Sequence, residues 1–570
     1  MKKSEIHHLY TEEGEKLKNG APLAYHSVYP RPQLERDSFL SLNGEWDISV
    51  NNGEWERIIV PFPPESLLSG ICRSMGIRAR LQYRKSFTLP DDFNRGKIIL
   101  HFGAVDQRAA VSVNGISVGY HDGGYLPFEF DITNALTEGE NTVELTATDD
   151  MADKSLPYGK QRYKRGGMWY TPVSGIWQSV WLESVPEQYI KALTVTPTPT
   201  GAIIEATGVG EGEITLTNTE WEEKFPLING KATVNPRKIH IWSPTNPYLY
   251  RFTLKSGKDE IRSYFAIRTV ESKTVNGLPR LCLNGSPIFL HGLLDQGYFS
   301  DGIYTPASPE CYEKDILTAK NLGFNTLRKH IKIEPELFYY YCDLHGMLVM
   351  QDMVNNGSYS FLRDTALPTL FMKSFPDKLL NMSKKAREIF VETAKDTVKT
   401  LYNHPCIVYW TIFNEGWGQF DSTTVYQAVK ETDHSRIVDT ASGWFHPDRS
   451  DVESVHTYFK PFKLAQGKML PTVLSEFGGY SCKITENSVN LDKTYGYKHF
   501  ESEKELETAL ISLYENEIIP ATTEGLCGAV LTQLTDVEDE VNGLITYDRK
   551  RIKVSSEGML KISDQLRLTR

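Results

Sequence analysis

Short apolar runs separated by turn residues fill the first third of the chain, and each run is about as long as a β-strand. Two of them are Lys97–Phe102 and Asn141–Ala147, and the pair Asn114-Gly115 directly follows another run. Asn-Gly in such a position is the strongest short-range signal for a β-hairpin. Strands of this length and spacing are typical of an all-β sandwich. The pattern therefore predicts a first β-sandwich domain over residues 1–186.

A second, shorter β region follows the segment Leu182–Pro186, which we interpret as a domain boundary. Alternating apolar positions recur in Ala202–Ala206, Glu213–Thr217 and Tyr248–Leu254. A region of this length with such alternation suits an immunoglobulin-like sandwich, although the Cys…Trp…Cys spacing of antibody domains is missing. We therefore predict an immunoglobulin-like β-sandwich over residues 187–274 and assign no chemistry to it.

From about residue 275 the pattern changes to short apolar strands that alternate with helical segments, which indicates parallel βα units. One helical stripe runs from Met382 to Tyr402, where apolar residues recur at helical spacing. Eight candidate strands can be counted: Pro287–Gly292, Phe324–Arg328, Met347–Met350, Ile407–Trp410, Arg436–Asp439, Ser454–Tyr458, Thr472–Leu474 and Leu526–Leu531. Eight such units predict a complete (β/α)8 TIM barrel over residues 275–570.

Two of these barrel strands lead into a glutamate that is closely followed by glycine. Strand four leads into Asn414-Glu415-Gly416, and strand seven leads into Ser475-Glu476-Phe477-Gly478. Side chains at the C-terminal ends of barrel strands point into one shared site. Glycoside hydrolysis needs two such carboxyl groups, one to protonate the leaving oxygen and one to attack the sugar or activate water. Either glutamate alone could be a solvated side chain, but the matched pair favours the catalytic interpretation.

Composition and charge exclude several other classes of function. The formal net charge is −11 and no basic block occurs, which argues against a nucleic-acid partner, because phosphate binding depends on clustered Lys and Arg. No apolar run long enough for a membrane span or a secretory leader is visible, so we expect a cytoplasmic protein without a membrane partner. The 7 cysteines are widely scattered, which fits reduced thiols better than a disulfide framework.

The order of these domains and the residues around the two glutamates resemble glycoside hydrolase family 2, the group of β-galactosidases, β-glucuronidases and β-mannosidases. The resemblance covers nearly the whole chain, and its most specific motifs are Phe413–Gly416 and Ser475–Gly478. Further matching segments are Leu42–Trp46, Ser174–Trp177, and Leu322–Asn325 with Arg328 and His330. The resemblance implies a jelly-roll-like, sugar-binding-type fold for the first domain.

The resemblance also implies a retaining exo-glycosidase, with Glu415 as acid/base and Glu476 as nucleophile. It further implies that Asn414 binds the sugar 2-hydroxyl and that Tyr458 lies beside the nucleophile. A retaining mechanism requires two carboxyl groups about 5–5.5 Å apart, whereas an inverting mechanism leaves room for a water between them. We therefore predict that the two glutamates face each other at the C-terminal mouth of the barrel.

Other polar residues at or just past the predicted strand ends are candidates for substrate binding. Arg328 would supply a positive field that keeps one carboxylate ionised, although a purely structural ion pair is an equal alternative. The candidates for hydrogen bonds with sugar hydroxyls are His330, Asp295, Asp352 and His291. Each of these could instead be a loop residue or a residue that supports its neighbours.

Aromatic residues complete the set of candidates, because sugars stack their C–H faces on aromatic rings. Trp444 and Trp417 are candidates for the wall and floor of the site, and packing beneath the loop is the alternative for Trp417. Trp169 follows the basic segment Lys160–Arg165 and lies among glycines. We expect its loop to approach the barrel mouth from the first domain and help close an exo-type pocket.

Departures from the family pattern bear on the substrate. Family β-glucuronidases carry an Asn-x-Lys pair that holds the substrate carboxylate, whereas the matching place here reads Glu540–Gly543. Several β-galactosidases present a tryptophan from strand eight, where this chain reads Leu531–Asp536. We therefore favour a β-galactosidase-like enzyme over a β-glucuronidase, with a small oligosaccharide or glycoside as its carbohydrate substrate.

No cofactor and no metal ion are expected, because neither CxxC nor HExxH occurs and the metal ligands of family members do not map onto the chain. A homo-oligomer is possible. Two alternatives stay open at this stage: a catalytically silent carbohydrate-binding or regulatory protein on the same scaffold, and a transglycosylase. Intact Glu415 and Glu476 argue against the silent protein.

Overall fold

The structure, a computed structural model, describes residues 7–217, 222–366, 377–380, 383–445, 448–465, 467–566 and 568. A β-rich N-terminal part is followed by a parallel α/β barrel, which confirms the predicted fold class. The division of the chain at residues 186 and 274 stays a prediction. Residue 382, at the start of the predicted helical stripe, lies outside the described residues.

The first β region consists of antiparallel strands that share one apolar core. Its strands are β1 (Phe39–Ser41), β2 (Gly44–Val50), β3 (Trp55–Val60), β4 (Ala79–Thr88), β5 (Lys97–Phe102), β6 (Val105–Asp106), β7 (Arg108–Val113), β8 (Ile116–Asp122), β9 (Phe128–Asp131), β10 (Glu140–Asp149), β11 (Gly175–Ile176) and β12 (Val180–Val185). They form the sheets β1-β12-β5-β9 and β3-β2-β4-β10-β7-β8, and β6 pairs with β11. The long loop between β10 and β11 carries Trp169.

The second β region is a smaller sandwich with a core of its own. Its strands are β13 (Ala192–Thr198), β14 (Gly201–Thr207), β15 (Gly212–Thr217), β16 (Glu222–Leu227), β17 (Lys231–Val234), β18 (Tyr250–Ser256) and β19 (Asp259–Phe265). They form the antiparallel sheets β13-β14-β17 and β16-β15-β18-β19. A short antiparallel sheet then leads into the barrel: β20 (Val270–Val275), β21 (Leu278–Leu283) and β22 (Ser286–Pro287).

The barrel strands run parallel to one another. The remaining strands of the chain are β23 (Leu290–Asp295), β24 (Thr326–Lys329), β25 (Leu348–Asp352), β26 (Ile407–Asn414), β27 (Ile437–Ser442), β28 (Glu453–Thr457), β29 (Thr472–Gly478), β30 (Tyr480–Cys482), β31 (Lys498–Phe500) and β32 (Leu526–Thr532). Within the described residues, eight of them pair in the order β27-β26-β25-β24-β23-β32-β29-β28, and β30 pairs with β31. The barrel is therefore nearly closed, with β27 and β28 at its two edges.

Most of the helices lie between the barrel strands in sequence. The α-helices are α1 (Glu12–Lys18), α2 (Glu310–Asn321), α3 (Glu336–His345), α4 (Lys384–Leu401), α5 (Ser422–Thr432), α6 (Glu503–Leu513), α7 (Ile519–Glu524) and α8 (Ser556–Gln565). Short 3-10 turns span Ala24–His26, Thr133–Ala135, Asp377–Leu379 and Thr485–Asn487, and π-helical turns span Phe361–Ala366 and Tyr514–Ile518.

Local sequence explains why these elements form where they do. Every residue of β26 is buried, which fits a strand covered on both faces in a parallel barrel. α4 begins after Ser383, whose side chain accepts a hydrogen bond from the backbone N–H of Ala386. Its buried residues Phe390, Ala394 and Val398 recur at helical spacing and pack into the barrel core.

The first barrel strand begins later than the sequence pattern predicts. The predicted strand was Pro287–Gly292, but Ser286–Pro287 belongs to the preceding antiparallel hairpin and the barrel strand is β23. Proline lacks the N–H that an interior parallel strand would need, which favours the earlier break. The C-terminal end of the strand is therefore Asp295 and not Gly292.

Among the described residues, no helix is both long and apolar enough to cross a membrane. The cysteines are free thiols, and all of them except the exposed Cys72 are buried. This agrees with the expectation of reduced core cysteines.

Candidate active site

Glu415 lies directly after β26, at the point where the chain turns out of the barrel. Its backbone N–H donates to the carbonyl oxygen of Ser442 at the end of β27 (2.9 Å), and its φ of 50° lies in the left-handed region. That conformation costs a non-glycine residue about 1–3 kcal/mol, so the surrounding structure must hold it in place. Gly416 follows because a Cβ at this position would overlap the ring of Phe445.

Glu476 lies within β29, and its carboxyl group meets that of Glu415 at His456. One carboxyl oxygen of each glutamate and a ring nitrogen of His456 all lie within 4.8 Å of one another. His456 Nδ1 is 2.9 Å from Glu415 Oε1, and His456 Nε2 is 3.6 Å from Glu476 Oε1. Glu415 and Glu476 are 8% and 5% exposed. A buried imidazole therefore bridges two nearly buried carboxyl groups.

Hydrogen-bond donors surround the carboxyl group of Glu476. The hydroxyl of Tyr458 donates to Oε2 at 2.6 Å, and Arg328 Nη1 donates to Oε1 at 3.0 Å. Burial alone would raise the pKa of this group, but His456, Arg328 and His330 favour the ionised form and bring the pKa down to about 2. Glu476 is therefore held as a carboxylate at neutral pH.

Arg328, in β24, is fully buried and holds several groups of the site together. Its guanidinium forms a two-point ion pair with Asp352, in which both N–O distances are 3.0 Å. It also donates to Asn414 Oδ1 and to Ser442 Oγ, each at 2.9 Å. Among the described residues the amide nitrogen of Asn414 donates no hydrogen bond, so it is available to a ligand. The planar guanidinium thus fixes the orientation of both Asn414 and Glu476.

His330 and Asp295 lie in different surroundings. His330 Nδ1 is 2.7 Å from Asp352 Oδ2, beside Arg328, and burial is the main cause that lowers the pKa of its imidazole to about 4. Asp295 is paired instead with Lys329 at 2.6 Å, and within the described part of the chain it contacts neither catalytic candidate. His330 therefore joins the site through Asp352, whereas Asp295 belongs to a neighbouring buried ion-pair cluster.

His291 is a correction to the sequence interpretation. Its ring lies between the carbonyl oxygen of Gly323 and the hydroxyl of Tyr514, 3.1 Å from each. The predicted strand ended at Gly292, which put His291 near a strand end, but β23 runs on to Asp295. His291 is therefore at the start of the strand, far along the barrel from the C-terminal mouth.

The aromatic candidates lie near the residues of the site. Trp169 stacks on Trp417 with a ring-centroid distance of 5.1 Å, and Trp417 comes two residues after Glu415. The loop between β10 and β11 thus reaches the barrel mouth from the first β region. Trp444 lies edge-on to His456 at 5.6 Å, and its indole nitrogen is buried without an acceptor among the described residues.

Sequence reasoning missed His456, although a signal for it was present. Side chains at positions i and i+2 of a strand point to the same face. Tyr458 was already a candidate, so the alternation along Ser454, His456 and Tyr458 places His456 on the face that meets Glu476. The sequence pattern could not show that Glu415, which is 41 residues away in sequence, lies beside His456.

Glu415, His456 and Glu476 are also close enough to hold a metal ion. Carboxylate and imidazole groups at this spacing are common metal ligands, but His456 Nδ1 is already bonded to Glu415 Oε1 and Glu476 is bonded to Arg328 and Tyr458. An ion would have to displace these contacts. The absence of a required metal therefore stays a prediction.

Two stretches of the chain match domains of one known family. Residues 279–550 match the glycosyl hydrolases family 2, TIM barrel domain, and residues 73–186 match the glycosyl hydrolases family 2, sugar binding domain. Together the two stretches cover more than half of the chain. The barrel match includes both glutamates, and the sugar-binding match includes the loop that carries Trp169.

Individual relatives are more distant. A β-galactosidase of Priestia megaterium is 25% identical over 488 residues, which are 78% of this chain and 44% of that protein. The chain spans about half the length of the curated relatives it matches first. Among solved structures, the Ruminococcus gnavus β-glucuronidase superposes with a TM-score of 0.72 at 19% identity, covering 96% of this chain and 99% of that one.

A second solved structure is a β-galacturonidase from Eisenbergiella tayi bound to galacturonate. Its TM-score is 0.67 at 19% identity, and the match covers 95% of this chain and 99% of that one. At these identities the two structural likenesses establish the fold alone.

Proposed function

The chain belongs to glycoside hydrolase family 2, and from this premise we propose that it is a retaining exo-β-glycosidase. It would remove terminal β-linked sugars from small oligosaccharides or glycosides, with a small carbohydrate as its partner and the cytoplasm as its location. The observation that carries the proposal is the spacing of Glu415 and Glu476. Carboxyl oxygens within 4.8 Å of each other are close to the spacing of about 5–5.5 Å in a retaining pair and well short of the spacing of about 6.5–9.5 Å in an inverting pair.

The first half-reaction assigns one role to each glutamate. Glu476 attacks the anomeric carbon and forms a glycosyl ester, while Glu415 gives its proton to the departing glycosidic oxygen. The lowered pKa of Glu476 supports the nucleophile role, because an attacking carboxylate must be ionised. The hydroxyl of Tyr458 and the guanidinium of Arg328 hold this carboxylate in position.

The second half-reaction reverses these transfers with water as the acceptor. Glu415, now ionised, takes a proton from water, and the resulting hydroxide attacks the anomeric carbon and releases Glu476. His456 Nδ1 is 2.9 Å from Glu415 Oε1, so it is placed to stabilise the ionised carboxylate of Glu415. The amide nitrogen of Asn414, which has no acceptor among the described residues, supports a hydrogen bond to the sugar 2-hydroxyl, an interaction that strengthens in the transition state.

The proposal also includes the identity of the terminal sugar. We favour a β-galactoside over a β-glucuronide, because the lysine of the glucuronidase Asn-x-Lys pair is replaced at Glu540–Gly543. The curated relative described above is named a β-galactosidase, which supports the same choice. A panel of nitrophenyl galactoside, glucoside, mannoside, arabinoside and uronides identifies the sugar directly.

Two variants test the roles of the glutamates. Glu476→Ala should abolish glycosyl-enzyme formation on every substrate, and azide should restore slow turnover with inverted stereochemistry. Glu415→Ala should still form the glycosyl-enzyme from a dinitrophenyl glycoside, because that leaving group needs little proton assistance. On an alkyl glycoside the same variant should lose a further factor on the order of 10²–10⁴.

The controls come from the same measurements. Intact mass spectrometry with a 2-fluoro glycoside should locate the covalent sugar on Glu476 in the wild type. If Glu415→Ala loses the same factor on both substrate types, or if azide rescues it with the inverted product, the assigned roles are wrong. If no glycoside in the panel is cleaved by the wild type, the proposed activity is wrong.

A further inference from the structure

One buried lysine of this protein differs from the others in its surroundings. Within the described residues, four lysines are 6% exposed or less: Lys160, Lys329, Lys332 and Lys553. Three of them have a carboxylate oxygen within 2.9 Å of the ammonium: Lys329 with Asp295 and Glu334, Lys332 with Glu334, and Lys553 with Asp536. Among the described residues Lys160 forms no ion pair and its ammonium donates no hydrogen bond. It lies over the ring of Trp417, with Nζ 4.6 Å from the centroid.

Lys160 reaches this position from the first β region. The loop between β10 and β11 is fixed to the barrel by Arg165 and Thr171, which both donate to the carboxylate of Glu538 at 2.9 Å. The loop therefore holds its backbone against the barrel mouth on either side of Trp169. Lys160 is carried into the catalytic site as a consequence of this docking.

The acidic groups that act on the charge of Lys160 include both catalytic candidates. Burial lowers the pKa of its ammonium, while Glu540, Glu476 and Glu415 act on it in the opposite direction. Its positive charge in turn helps to lower the pKa of His330. The ammonium thus lies beside Trp417 in the interior of the site and not on the outer surface.

Glu540 is the acidic group that acts most strongly on the charge of Lys160, but its carboxyl oxygens are bonded to other residues. Its two carboxyl oxygens accept hydrogen bonds from the hydroxyl of Tyr170 and from Asn542 Nδ2. Burial raises the pKa of the Glu540 carboxyl group. Lys160 therefore lacks the direct counter-charge that the other buried lysines have.

The indole N–H of Trp417, the residue under Lys160, also lacks an acceptor among the described residues. Trp417 is 1% exposed, and its Nε1 has no acceptor within the part of the chain that the structure describes. A buried N–H without a partner costs about 1–3 kcal/mol. The ammonium of Lys160 over the face of this indole and the unpaired indole N–H are two neighbouring donors that suit an oxyanion of a ligand.

We propose that Lys160 binds an anionic substituent, a carboxylate or a sulfate ester, on the terminal sugar of the substrate. This inference rests on the proposed glycosidase function and narrows its substrate class. The cation comes from the first β region, whereas the lysine of the glucuronidase Asn-x-Lys pair belongs to the barrel and is replaced here. A neutral sugar hydroxyl would accept a hydrogen bond from Lys160 but would not supply a negative charge at ion-pair distance, as an anionic substituent would.

The test compares matched pairs of substrates that differ only in charge. The panel contains nitrophenyl β-galactoside with its 6-carboxylate (the galacturonide) and its 6-sulfate, and the same three forms in the glucose series. For at least one pair the anionic member should have a kcat/KM about 10- to 100-fold higher than the neutral member, the range of a charged hydrogen bond. The carboxylate and sulfate arms identify which anion the site takes.

Variants then attribute the preference to Lys160. Lys160→Met keeps most of the apolar stem and should reduce the anionic-to-neutral ratio of kcat/KM by about 10- to 100-fold, and Lys160→Arg should retain part of it. Lys164→Met removes the same charge from an exposed position of the same loop and should leave the ratio unchanged. A wild type that prefers the neutral member of every pair overturns the inference. So does a Lys160→Met variant with an unchanged ratio.

Binding by calorimetry keeps this inference separate from the proposed activity. Free galacturonate, glucuronate and galactose 6-sulfate are titrated into the wild type and Lys160→Met, with galactose as the neutral reference. Binding of an anionic sugar that depends on Lys160, without cleavage of any glycoside, supports the Lys160 assignment and refutes the glycosidase. Cleavage of neutral glycosides, without binding of any anionic sugar, does the reverse.

Discussion

Replacing His456 with asparagine tests whether the imidazole between the two glutamates acts on Glu415 or only fills space. The side chain of His456 is fully buried, and its Nδ1 lies 2.9 Å from Glu415 Oε1. Asparagine keeps an amide but is too short to contact both carboxyl groups. The variant therefore removes the bridge without placing an apolar group beside two acids.

The expected magnitude follows from this single contact. A hydrogen bond to a charged group is worth about 1.5–3 kcal/mol, and about 1.4 kcal/mol corresponds to a tenfold change in rate. His456→Asn should therefore lower kcat/KM on an alkyl glycoside about 10- to 100-fold, because its leaving group needs the proton of Glu415. On a dinitrophenyl glycoside, which needs little proton assistance, the first step should lose less than the alkyl substrate does.

The assay measures kcat/KM on both substrates for the wild type, His456→Asn and a matched control, Ser454→Ala. Ser454 lies on the same face of β28 and its hydroxyl is 2.6 Å from Ser475 Oγ, but among the described residues it contacts neither glutamate. The control should lose similar factors on the two substrates. The reasoning is refuted if His456→Asn also loses equal factors on both, or if its loss is no larger than that of the control.

Two remaining predictions concern the charge of Glu476. Arg328→Lys keeps one positive charge but cannot form the planar fork that contacts Asp352, Asn414 and Glu476 together. Its kcat/KM should therefore fall at least about tenfold. Steady-state kinetics that match the wild type would contradict this. The pKa of Glu476 is lowered from an ordinary 4.5 to about 2 in the folded protein. Its ionised form therefore stabilises the fold above about pH 4.5. This contribution is lost as the pH falls toward 2. Denaturant unfolding between pH 6 and pH 3 should therefore show a steeper loss of stability for the wild type than for Glu476→Gln, and equal slopes would argue against the assigned ion pairs.

The sequence by itself determined the order of the fold and the two strand ends that matter most. Period-two alternation and turn residues predict the β regions, because these signals act over a few neighbouring residues. The run before Asn414, apolar except for Thr411, predicts a strand buried on both faces, and the glycine after Glu415 marks the turn out of the barrel. Both glutamates could be selected because each lies next to such a local signal.

Boundaries were less certain than element types, and His291 illustrates the reason. A run of apolar residues does not state where pairing begins, so the first barrel strand was placed three residues too early. The tertiary structure assigns Ser286–Pro287 to an antiparallel hairpin with β21, and only that pairing fixes the end of β23 at Asp295. His291, a candidate because of its predicted place near a strand end, therefore lies near the start of β23.

Only the tertiary structure decided which distant side chains meet around the two glutamates. His456 and Glu415 are 41 residues apart, and Tyr170, in the loop that carries Lys160, is 370 residues from its partner Glu540. No local pattern encodes such contacts, because they depend on barrel closure and on the docking of one domain's loop onto another. The physical reason is that periodicity reports which face of an element is buried, whereas the identity of the group that it is buried against is set by the packing of the whole chain.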